Sequence, residues 1–144
     1  MMMKPWIENI GLKEVRDGYH HDAGFNSMLI QIVDPGTEFP TPKCQFKEVR
    51  QFFFLDVDDT DHDKFYFEAA ITDEDAKGIA DALQEAWDNH MNVVVHCHMG
   101  VSRSGAVAEV GTMMGFRDVG NWRAPNPLVK RKLLQHLKLE NTPL

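Results

Sequence analysis

The sequence predicts a single α/β domain, a small central mixed sheet flanked by helices, and three observations carry that reading. Runs of strand length, Met28 to Val33, Gln51 to Val57 and Asn92 to Val95, alternate with apolar residues at helical spacing. The 144 residues make one domain, long enough to bury about two-thirds of its surface. Hydrophobic residues are 43% and charged residues 26%, which excludes a disordered tail, a collagen-like chain and a coiled coil.

The elements follow in chain order. Residues 1–24 mix polar and apolar side chains without a period and receive no assignment. Met28 to Val33 reads as a strand, closed by the turn signal Asp34-Pro35-Gly36. Pro40 and Pro42 mark a loop, and the Phe-rich run from Gln51 to Val57 is a second strand. Thr72 followed by Asp73, Glu74 and Asp75 is a helix start, with acids in the first turn. Ala76, Ile79, Ala80, Leu83, Ala86 and Trp87 then give one apolar face over residues 73–89. Asn92-Val93-Val94-Val95 suits a fully buried central strand. A helix is expected over Ala106–Met114, and another behind the cap pair Asn126-Pro127.

Charge and cysteine usage narrow the function. Fifteen Lys and Arg against 22 Asp and Glu leave a net charge of −7, unsuited to a nucleic-acid binder that needs a broad basic face. No apolar run approaches the roughly 18 residues of a membrane span, and the start, Met-Met-Met-Lys-Pro-Trp, is not built like a signal peptide. Two cysteines, Cys44 and Cys97, are too few for a disulfide framework, so a reducing cytoplasm is expected.

The chemistry sits after the buried strand, in His96-Cys97-His98-Met99-Gly100-Val101-Ser102-Arg103-Ser104. Ligands of open α/β sheets bind at the carboxyl ends of strands, and a helix start offers free N–H groups to an anion. Five residues between Cys97 and Arg103 are enough to wrap a loop once around a tetrahedral anion, with backbone N–H groups turned inward. Arg103 would close that ring with paired hydrogen bonds. Such surroundings favour the thiolate, the form that attacks phosphorus in line. Ser104 would donate to the sulfur when it leaves. Two plainer readings compete: a buried structural thiol, or metal ligation by His96 and His98. On a strand these histidines point away from Cys97, and no second Cys/His cluster completes a metal site.

This segment resembles the loop of cysteine-based protein tyrosine phosphatases, H-C-x-x-G-x-x-R-[S/T], and Gly100 to Ser104 is most similar to the dual-specificity branch. The resemblance implies a phosphatase catalytic domain occupying 1–144, with the match itself running from about residue 45 to 140. It implies a phosphomonoester hydrolase acting on phosphotyrosine and phosphoserine or phosphothreonine in proteins through a cysteinyl-phosphate. Cys97, Arg103, Asp59 and Ser104 would be catalytic, and His98, Met99, Gly100, Val101, Ser102 and Arg103 would hold the phosphate. His96 and Asn126 would brace the loop from behind; no metal or organic cofactor is implied. The expected partner is a phosphoprotein or phosphopeptide, with neither nucleic acid nor membrane.

A proton must reach the leaving oxygen, and the family takes it from an aspartate after a strand some thirty residues before the cysteine. Leu55-Asp56-Val57-Asp58-Asp59-Thr60 is similar to that strand end. Asp59 lies 38 positions before Cys97 and is the first choice, with Asp58, Asp61 and Asp63 as alternatives. Asp56 reads as part of a solvated turn. Only 22 residues separate Arg103 from Asn126, so a helix common in the family is shortened or lost. No aromatic clamp for phosphotyrosine is evident, Tyr19 being a remote candidate, while Trp122 and Arg123 read as packing residues. RNA 5′-triphosphatases and inositol-lipid phosphatases share the loop but add basic residues around it. A non-catalytic phosphate binder and a sulfur-transfer or arsenate-reducing enzyme are the remaining rivals.

Overall fold

The computed structural model describes residues 3–57 and 68–138. Five strands form one sheet: β1 Trp6–Gly11, β2 Ser27–Val33, β3 Glu48–Phe53, β4 Asn92–Cys97 and β5 Arg117–Asp118. Their order is β3-β2-β4-β1-β5. Four helices join them among the described residues: α1 Leu12–Asp17, α2 Asp73–Asp88, α3 Arg103–Met114 and α4 Pro127–Leu137.

Every pairing is parallel, so the sheet is not the mixed one expected. The chain therefore enters each of β2 to β5 from the same end of the sheet as the strand before it. A mixed sheet needs a hairpin or a reversed strand, and none occurs among the described residues. Parallel packing also explains the composition of β4. It lies between β2 and β1 with both faces covered, and Val93, Val94 and Val95 are fully buried.

The two faces are covered unequally. Ile7, Met28, Ile30, Ile32, Val93 and Val95 lie under α2, α3 and α4 in the main core. Trp6, Ile10, Leu29 and Val94 face the other way and meet Val15 of α1 and Ala23. This alternation follows the strand period of two. Helix α2 begins where its residues predict. The Thr72 hydroxyl accepts from the Asp75 N–H at 3.0 Å, and the Asp75 carboxylate accepts from the Thr72 N–H at 3.1 Å.

Two boundaries differ from expectation. The Phe-rich strand runs Glu48–Phe53, not Gln51 to Val57. Its partner β2 ends at Val33, so beyond the Phe54 N–H bond to the Val33 carbonyl there is no ladder to continue. Phe54 is buried, Phe52 packs against the core, and Phe53 is exposed. Strand β1, which the sequence left unassigned, is interior. Its Glu8 and Asn9 are buried polar residues that break any apolar period, and each is satisfied only by distant segments.

Candidate active site

Strand β4 ends at Cys97 and helix α3 begins at Arg103, so the six intervening peptide steps form the loop at the carboxyl edge of the sheet. A cavity of about 550 Å³ opens there; Asp34, Asp56, Cys97, His98, Ser102 and Arg103 contribute its polar lining. Leu55, Val57, Met99 and Val101 complete the wall. Its volume falls in the ordinary range for a small-ligand site.

Cys97 is buried, and its sulfur sits among donors. The Gly100 N–H points at Sγ from 3.3 Å, and the Ser104 hydroxyl lies 3.1 Å away. Arg103 is held by one corner. Its Nη1 donates to Asp34 Oδ1 and to the Phe54 carbonyl, both at 2.7 Å. The guanidinium is almost wholly buried, yet Nε has no hydrogen-bond partner among the described residues. No hydrogen bond to a described residue engages Nη2 either. The Nε–Nη2 edge carries the parallel donors that suit two oxygens of one anion.

Gly100 is required by the backbone. Its φ is +78°, and a Cβ there would stand 2.5 Å from both the Gly11 nitrogen and the Ile10 carbonyl carbon. The loop therefore closes directly on the end of β1. The Asn9 amide donates to the Gly100 carbonyl at 2.8 Å, and the Leu12 N–H donates to the His98 carbonyl at 3.0 Å. On the far side the chain after α3 runs without a helix from residue 119 to 126 and takes over the support. The Ala124 N–H bonds the Val101 carbonyl at 3.1 Å and the Asn126 N–H bonds the Ser102 carbonyl at 3.0 Å. Asn121 in turn donates twice to Asn9, through its N–H and its side-chain amide.

Asn126 touches the loop with its backbone only. Its side-chain oxygen caps α4 by accepting from Leu128 and Val129, while Nδ2 donates to Asp56 Oδ1 at 2.7 Å and to the Val57 carbonyl at 2.9 Å. Asp56 is correspondingly more than a solvated acid. The same oxygen accepts from the Ser102 hydroxyl at 2.8 Å, which ties the loop to the end of the Phe-rich segment.

No family model and no curated protein gives a significant match to the chain. The site therefore rests on its own geometry.

The structure brings Cys97, Arg103 and Ser104 together, with His98, Met99, Val101 and Ser102 on the same cavity and Gly100 beneath it. Asp59, Asp58, Asp61 and Asp63 lie outside the described residues. Tyr19 lies apart from the cavity wall and is exposed. Trp122 is 77% exposed and is not the packing residue expected, whereas Arg123 is held by Glu109 and Asp118. Among the described residues no cluster of three or more His, Cys, Asp or Glu has the arrangement to hold a metal ion. Sequence reasoning missed Asp34 and Asn9. For Asp34 the available signal was its place at the carboxyl end of a strand just before Pro35-Gly36; for Asn9 there was none.

His96 is fully buried, and its Nδ1 contacts the Cys97 carbonyl at 3.3 Å. A carbonyl only accepts, so Nδ1 carries the proton and Nε2, which has no partner among the described residues, is the bare nitrogen. Burial pushes the imidazole down from 6.5 to about 4; the Cys97 carbonyl opposes this and the nearby Arg103 charge adds to it. The sign follows from linkage. As pH falls from 6.5 toward 4, the unfolded chain takes a proton that the folded chain refuses. The contribution of His96 to stability is therefore full above 6.5 and is lost on the way down to 4. From this group alone, stability at pH 5 should be about 2 kcal/mol below that at pH 7. Urea unfolding at the two pH values measures the change, and the ring signals of His96 should stay those of the neutral form at pH 5.

Proposed function

We propose that this protein is a cysteine-dependent phosphomonoester hydrolase of the dual-specificity phosphatase type, acting on phosphorylated proteins. The observation that carries the reading is the open Nε–Nη2 edge of a buried Arg103 in the same cavity as the Cys97 sulfur. Fixed, desolvated donors beside a nucleophile are what phosphoryl transfer needs, since the catalysis is mostly positioning and electrostatics.

The reaction balances in two steps. Cys97 Sγ, as the thiolate, forms a bond to phosphorus while the ester P–O bond breaks, and the leaving oxygen takes a proton from Asp59. Water then forms a new P–O bond and gives its proton to Asp59, while the S–P bond breaks. The Ser104 hydroxyl, 3.1 Å from the sulfur, donates to the departing thiolate. Arg103 holds the equatorial oxygens throughout, with the corner bonds to Asp34 and Phe54 keeping its plane fixed. No cofactor enters this scheme.

The described lining favours one substrate class over others. Among the described residues lining the cavity Arg103 is the only Lys or Arg, which disfavours triphosphate ends and inositol polyphosphates. Leu55, Val57, Met99 and Val101 suit the carbon skeleton of a phosphorylated side chain. Both cysteines are free, and a thiol nucleophile works only where it stays reduced, which favours a reducing compartment such as the cytoplasm. Among the described residues no helix is long and apolar enough to cross a membrane.

Turnover of a chromogenic aryl phosphate tests the reading, together with acid quenching to trap phosphate on Cys97. A protein that binds phosphate but shows no turnover and no phosphocysteine would be a binding module instead. The acid is tested separately. Asp59→Asn should slow an alkyl phosphate by about 10²–10⁴-fold, with a smaller loss for an aryl phosphate whose leaving group needs less help. If Asp61→Asn shows that pattern and Asp59→Asn does not, the proton comes from Asp61.

A further inference from the structure

Beside the catalytic cavity lies a second, smaller pocket of about 190 Å³, lined by Leu12, Val33, Asp34, Thr37 and His98. Asp34 and His98 also line the catalytic cavity, so the two spaces adjoin across a shared wall. Resting on the phosphatase reading, we propose that this side pocket is a subsite for the residue next to the phosphorylated one, and that it selects Lys or Arg there.

The chemistry of the pocket is one-sided. Leu12 and Val33 give it apolar walls. Of its polar side chains Asp34 is the one fixed charge, while the Thr37 hydroxyl and the His98 ring can each accept or donate. Asp34 gives Oδ1 to Arg103, and its second oxygen has no hydrogen bond to a described residue. About half of the Asp34 side chain is exposed, so a ligand can reach it. The Thr37 hydroxyl likewise has no partner among the described residues, and its backbone N–H anchors the turn to the Asp34 carbonyl at 3.0 Å. No Lys or Arg lines the pocket among the described residues. The one guanidinium nearby, Arg103, is committed to Asp34 and to the phosphate.

A long basic side chain fits this pattern. Its methylenes would lie along Leu12 and Val33 while the charged head reaches the free Asp34 oxygen and the Thr37 hydroxyl. An acidic neighbour would instead bring its carboxylate against the second Asp34 oxygen, and Asp56 adds another carboxylate to the adjoining wall. The net charge of −7 acts in the same direction by favouring the approach of basic peptides.

The test uses phosphotyrosine peptides identical except for Lys, Ala or Glu at the residue before or after the phosphotyrosine. On one of the two sides, kcat/KM for the Lys peptide should exceed that for the Ala peptide by about tenfold, with the Glu peptide lowest. Leu12→Lys and, independently, Thr37→Lys at the exposed turn should bring the Lys-to-Ala ratio to about one. The ratio is read within each variant, so a general loss of activity does not enter it. Equal kcat/KM across the peptides, or a preference that survives both substitutions, overturns the subsite. An aryl phosphate left intact by the wild-type protein overturns the phosphatase reading itself, which is a separate result.

Discussion

Cys97→Ser should abolish aryl phosphate hydrolysis, with a loss on the order of 10⁴–10⁶-fold in kcat. The substitution exchanges one atom for a smaller one that keeps its proton. Sulfur is the better nucleophile at neutral pH, and the Gly100 N–H and Ser104 hydroxyl around Sγ are placed to receive an anion. A serine at 97 leaves the cavity, Arg103 and the loop bonds from Asn9, Ala124 and Asn126 in place. The variant should therefore still bind phosphopeptide and hold it without turning it over. Steady-state assay and equilibrium binding read the two halves of this expectation. Undiminished turnover in Cys97→Ser would sink the mechanism.

Arg103→Lys should cost about 10³–10⁵-fold in kcat while the protein stays folded. One ammonium cannot replace the work of a planar fork. In the wild type Nη1 serves Asp34 and Phe54 while Nε and Nη2 remain available on the other edge. A lysine at 103 must choose between the Asp34 anchor and the phosphate. Asp34→Ala makes the complementary change. It keeps the guanidinium but removes one of its two anchors, and the expected loss is smaller, about 10²-fold, through misplacement alone. Comparing the two by kcat at saturating substrate separates charge from orientation. If Asp34→Ala is as damaging as Arg103→Lys, Asp34 does more than hold the guanidinium.

What was legible in the sequence was whatever is encoded over a short span. Thr72 to Asp75 announce the start of α2, the valines of β4 announce burial on both faces, and Asn126-Pro127 announce α4. Cys97, Gly100, Arg103 and Ser104 are close enough in sequence for their joint geometry to be read from spacing. The parts that escaped are made by long-range contacts. Asp34 meets Arg103 across 69 positions, and Asn9 meets Gly100 across 91. Each residue is ordinary in its own neighbourhood and gains its role only through the sheet order. The same cause hid β1, whose Glu8 and Asn9 look like surface residues until His21, Asn121 and the loop arrive to satisfy them. Asp56 was misread for the converse reason: the acid-rich run around it suggested solvent, while its carboxylate binds Ser102 and Asn126.

The closure of Gly100 onto the end of β1 has a consequence for biogenesis. Strand β1 is an inner strand of the finished sheet, seated between β4 and β5. A ribosome delivers β1 some eighty residues before its β4 partner, Val93, exists. Such high contact order makes for slow assembly. On the proposed function, the thiol thus reaches its working geometry only after β1, β4 and β5 have all been translated and brought together, and a nascent or clipped chain lacking residues 6–11 should carry the sulfur without the proposed activity.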